Sequence, residues 1–77
     1  MTKQEFRNSE EYRKCIEKIT NYPKDFIFSI YPKQITKAQY NAINIVIGDC
    51  IKQGLIESIE IGLNIKAETV ELKYKRI

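Results

Sequence analysis

Three tracts of this chain alternate between apolar and polar positions with a regular period. The longest covers residues 36–53. On a helical wheel Gln39, Tyr40, Ile43, Val46, Ile47, Cys50 and Ile51 fall on one arc, and Lys37, Asn41, Asn44, Asp49 and Lys52 on the opposite one. Thr36, with Gln39 three residues on, fits a capping box. Gly54 fits a C-terminal stop. The pattern predicts one continuous helix, with Gly48 inside it at a cost of about 1 kcal/mol against alanine. Ile45 breaks the pattern, because it falls among the polar residues beside Ala38 and Ala42.

An earlier tract has Tyr12, Cys15, Ile16 and Ile19 at i, i+3, i+4 and i+7, the spacing of one helical stripe. It predicts a helix from about 9 to 21, capped by Asn8 with Glu11 and ended at Asn21-Tyr22-Pro23. Thr2 with Glu5 predicts a turn or short helix over 3–7. Residues 26–31, bracketed by Pro23 and Pro32, are aromatic and β-branched and predict a strand. Its more apolar face is Phe26, Phe28 and Ile30.

The third tract has period two. Leu55, Ile59, Ile61, Leu63 and Ile65 alternate with Ile56, Ser58, Glu60, Gly62 and Asn64, and Glu57 interrupts the apolar face near its start. A turn over 64–68 follows, after which Val70, Leu72 and Tyr74 alternate with Glu71, Lys73 and Lys75. Such alternation predicts an antiparallel hairpin with one buried face. The order α-β-α-β-β over 1–77 predicts one α+β domain. Its expected form is a small two-layer sandwich, a three-stranded antiparallel sheet packed against two helices. The portion from the long helix through Gly54-Leu55-Ile56 into the hairpin resembles the second half of a winged-helix domain. That resemblance implies nucleic-acid binding, but it needs two short helices where the pattern has one long one.

Composition narrows the functional classes. A chain of 77 residues with 43% apolar content buries roughly 60–65% of its unfolded surface. That favours a flat or ridged binding surface over a deep pocket. Isoleucine outnumbers leucine and valine together, and lysine far outnumbers arginine. AT-rich codons favour both residues, which suggests a low-GC bacterium, its phages or its plasmids. The net charge of +3 is spread among interleaved acids, unlike that of a dedicated nucleic-acid binder. The polar first residues hold no apolar signal segment. Ile45-Val46-Ile47 is far short of the ~20 residues of a membrane helix. A cytoplasmic protein without membrane contact is therefore expected, with Cys15 and Cys50 reduced and packed as small hydrophobes.

No catalytic, metal or cofactor site is expected. Histidine is absent, which removes imidazole chemistry. Both cysteines lie on apolar stripes, and Ser9, Ser29 and Ser58 have no activating partner. Glu57 and Glu60 fall on opposite faces of the predicted strand, so they cannot converge for acid–base work, and Glu10 and Glu11 lie in a solvated first helical turn. Three scattered glycines make no phosphate loop.

Two features point to binding instead. Ile45 with Ala38 and Ala42 forms a shallow apolar strip on the outer helix face. Either the helix over 9–21 covers it, or a partner does. Lys73, Lys75 and Arg76, with Lys66 near the turn and Tyr31 on the same outer face, make a basic end beside an aromatic residue. The competing reading is lysines guarding an edge strand from aggregation. The expected function is a non-enzymatic binding module acting through a protein–protein surface, with a host protein or a second copy as partner. Phage and mobile-element inhibitors of host machinery, such as defence systems, work in this way. The alternative is a small DNA- or RNA-binding regulator that uses the basic hairpin for weak, salt-sensitive contact.

Overall fold

The computed structural model describes residues 2–64 and 69–77. Its elements are helices α1 (Lys3–Arg7), α2 (Glu10–Thr20) and α3 (Lys37–Lys52), and strands β1 (Ile27–Ile30), β2 (Ile56–Asn64) and β3 (Thr69–Arg76). A 3-10 turn at Pro32–Gln34 joins β1 to α3. This is an α+β arrangement with an antiparallel sheet in the order β1-β3-β2.

The helix ends follow from local chemistry. Thr2 and Thr36 both form full capping boxes, with Glu5 and Gln39 reaching back to the cap amides. The cap of α2 is Ser9 and not Asn8. Its Oγ accepts from the Tyr12 amide, while Asn8 closes the end of α1. Hence α1 is a true helical turn and not loose chain. α3 runs unbroken through Gly48, so the break that a winged helix requires does not occur. It ends in a Schellman turn. The Leu55 amide donates to the Cys50 carbonyl and the Gly54 amide to that of Ile51. Gly54 takes a φ of +73°, which a glycine adopts without steric cost.

The core lies between the helices and one face of the sheet. Phe6, Ile19, Val46, Ile47, Cys50, Ile56 and Tyr74 are buried. Phe28, Ile30, Ile43 and Leu72 pack against them, half-buried. Phe26, expected on the apolar face of the strand, lies just before β1 and is exposed, stacked on Tyr22 at 4.5 Å between ring centroids.

The strand predicted over 55–65 is where alternation misleads. Ser58 pairs with Tyr74 and Glu60 with Lys73, so Ile59 is an extra residue in a β-bulge. Each residue before the bulge therefore changes face relative to strict alternation. Ile56 points to the helices and is buried, whereas Ile59 is exposed. Glu57 no longer interrupts an apolar face, because it sits opposite Lys75 on the outer side. The expected Leu55–Ile59–Ile61 core row does not form. A second correction concerns β3. It pairs on both sides, so Lys73 and Lys75 lie on the central strand and guard no edge. The turn after Asn64, with Ile65 and Lys66, lies outside the described residues.

Candidate functional site

The outer face of α3 is not a smooth solvated surface. Ala38, Ala42, Ile45 and Gly48 line an open groove of about 910 Å³, walled on the other side by Thr2, Lys3, Phe6 and Arg7 of the α1 region. Phe6 is buried, and Ile45 packs half-buried against the core that contains it. Ile45 thus shares its groove with residues of the short α1, and not only with the longer helix that sequence singled out. Ala42 is half-buried and Ala38 exposed. A methyl group placed on Gly48 would meet nothing within 4 Å, so the groove is open above that position.

A polar clamp closes one end. Arg7 Nε donates to Asp49 Oδ2 at 2.9 Å and its Nη2 to Oδ1 at 3.0 Å. The Tyr12 hydroxyl donates to the same Oδ2 at 2.7 Å. One carboxylate therefore ties α1, α2 and α3 together. Its side chain is only 13% exposed, although the helical wheel puts Asp49 on the solvated arc. The Arg7 guanidinium, and then the Tyr12 hydroxyl, hold the Asp49 carboxyl below its usual range. Donation to Asp49 and partial burial push Tyr12 up to about 12. The Tyr12 ring also meets Phe6 edge-on at 5.6 Å.

Sequence reasoning identified Ala38, Ala42 and Ile45 but missed Phe6, Arg7, Gly48 and Asp49. The one available signal was the capping box at Thr2, which makes 3–7 a helix. The Arg7–Asp49 pair spans 42 positions, and no local pattern reports a contact of that range.

The basic end has a different character. Lys75 lies 3.3 Å from Glu57, and Lys73 lies 3.4 Å from Glu71 and 3.6 Å from Glu60. Tyr31 donates its hydroxyl to Glu71, so Tyr31, Lys73 and Lys75 do share the outer face. The bulge brings Glu57 onto that face beside Glu60, contrary to the expectation that the two lie on opposite faces. Arg76 pairs opposite Ile56, on the helix side. It donates to the carbonyls of Leu55, Ile77 and Thr20. Lys66 is outside the described residues.

Cys50 is fully buried, which raises its thiol pKa. Cys15 is half-buried, and both thiols are free. Among the described residues no three His, Cys, Asp or Glu side chains are grouped to hold a metal. No helix among them is long and apolar enough to cross a membrane. No family model, curated protein or solved structure matches the chain.

Proposed function

We propose that this protein is a non-enzymatic binding module that acts through a protein–protein surface, the groove between α1 and α3. The observation that carries this reading is the lining. Ala38, Ala42, Gly48 and the flank of Ile45 form an open groove beside Phe6. Small residues on a helix let a neighbouring backbone approach closely, and the half-buried isoleucine offers apolar area worth covering. The groove also carries Lys3, Arg7 and Lys52 against Glu11 and Asp49, which gives it a mixed polar rim around an apolar centre. The partner is a protein segment that seats an apolar side chain between these charges. The AT-rich composition supports an origin in a phage or mobile element, with the module blocking a surface of host machinery.

The carboxylates beside Lys73 and Lys75 favour this reading over nucleic-acid binding. Cations already facing acids release fewer counterions on meeting phosphate.

Capture from a low-GC Gram-positive lysate tests the proposal. The wild-type domain should retain a protein that the Ala38→Arg variant loses. Ala38 is exposed, so that variant should keep its thermal midpoint. Equal retention by both, or retention of nucleic acid alone, would overturn the groove as the binding surface.

A further inference from the structure

Both β1 and β2 stand at edges of the sheet, but they are guarded differently. β1 has only four residues. A left-handed turn at Asp25, with φ of +67°, precedes it, and Pro32 follows it. β2 offers nine residues, and no described strand pairs with its outer side. Lysine and proline are common guards of exposed edges, and β2 contains neither. Its guards are the bulge at Ile59 and the charges of Glu57 and Glu60.

The two faces along this edge are chemically distinct. On the outer face Glu57 and Glu60 sit opposite Lys75 and Lys73 of β3, and their side chains remain 49% and 62% exposed. On the helix-side face Ile61 sits opposite Leu72 and is 75% exposed. We propose that the free edge of β2 accepts an extended segment of a protein partner in which apolar residues alternate with lysine or arginine. Cross-strand neighbours share a face. Basic residues alongside Glu57 and Glu60 would continue the lysine–glutamate alternation outward from β3. Apolar residues alongside Ile61 would cover it. Backbone pairing would supply the affinity and the alternating side chains the selectivity.

Charge decides between this occupant and a second copy of the chain. β2 carries two glutamates and no cation, although the whole chain has a net charge of +3. Edge-to-edge pairing of two copies would set one acidic edge against another, and like charges facing across strands destabilise. This surface is separate from the groove of α1 and α3, and the proposal does not depend on it.

The test uses synthetic labelled peptides of alternating valine and lysine, or valine and glutamate, titrated against the full chain at low salt. The lysine peptide should bind about tenfold tighter or more than the glutamate peptide. Glu57→Lys with Glu60→Lys should invert that order. If that pair perturbs folding through Lys73 and Lys75, Glu57→Gln with Glu60→Gln should still erase the preference. N-methylation of one alternate set of peptide amides should abolish binding while methylation of the other set leaves it. Three outcomes would overturn the proposal. They are binding of neither peptide, indifference to both methylation patterns, and self-association of the wild-type chain through β2.

Discussion

Ile56 and Ile61 are the same residue on the same strand and the same face, yet one is 1% exposed and the other 75%. Both point to the helix side of the sheet, as their partners Arg76 and Leu72 on β3 show. The difference is cover. Ile56 lies next to the Schellman turn of α3, within a core that includes Cys50 and Tyr74. Ile61 lies farther along the hairpin, where the core has run out. Alternation along a strand tells which face a residue takes, and the length of the neighbouring helix tells whether that face is dry. A short chain buries a smaller fraction of its surface than a long one, and here the cover ends between Ile56 and Ile61.

The contrast is sharpest if the same substitution is made at both ends. Ile56→Thr should cost about 3 kcal/mol, because it deletes buried carbon and leaves a hydroxyl in an apolar site. Chemical denaturation should show a lower midpoint at an unchanged slope. A loss below about 1 kcal/mol would mean that the covered end is as wet as the open one.

The next effect concerns the clamp that holds the covering helices. Asp49→Ala removes both Arg7 bonds and the Tyr12 bond. Bonds to charged groups are worth roughly 1.5–3 kcal/mol when buried. Arg7 is 36% exposed, so solvent screening brings the expected loss down to about 1–2 kcal/mol. The pH profile gives a second reading. Asp49 titrates lower in the folded protein than in the unfolded one, so its contribution is present above the ordinary carboxylate range. It is lost as pH falls through the folded value. Tyr12 is raised to about 12 from 10.0, so its contribution is complete below pH 10 and lost as pH rises through about 12. Asp49→Ala should flatten both limbs of a stability–pH curve, and persistence of both would place the clamp elsewhere.

These two effects also mark what sequence made legible. The α+β order, the unbroken helix over Gly48, the stop at Gly54 and the buried Ile47 and Cys50 all follow from local periodicity and capping. The faces of β2 did not, because one inserted residue at Ile59 reverses the parity of everything before it, and a bulge has no fixed signature among Ile, Ser and Glu. Asp49 was misplaced for another reason. Helical periodicity sorts residues by polarity, and a carboxylate that meets Arg7 and Tyr12 from distant turns looks like any solvated acid. Ala38, Ala42 and Ile45 stood out because an apolar residue on a polar arc violates the same periodicity. The strand order also lay beyond local pattern. Only long-range pairing puts β3 in the centre and leaves β2 as a free edge.

A smaller effect, of opposite sign, comes from stiffening the cover itself. Gly48→Ala should stabilise the chain by about 0.5–1 kcal/mol, since glycine is unfavourable inside a helix and the added methyl meets no atom within 4 Å. The same methyl intrudes on the groove, so a captured partner should bind more weakly to a protein that melts at higher temperature. Stabilisation without weaker capture would move the partner off this part of α3.

The smallest expected effect is Ile61→Thr, the counterpart of the substitution at Ile56. Threonine keeps the branched side chain and strand preference of isoleucine, so the comparison isolates burial from backbone propensity. At 75% exposure little apolar area leaves water when the isolated chain folds. The change should therefore stay within about 0.5 kcal/mol. The denaturation midpoint should match the wild type at low protein concentration. If the open edge of β2 meets another strand, the same variant should weaken that association while leaving the midpoint alone. A cost above about 1 kcal/mol in the dilute chain would mean that Ile61 is covered within its own fold. The two ends of the sheet would then differ in degree and not in kind.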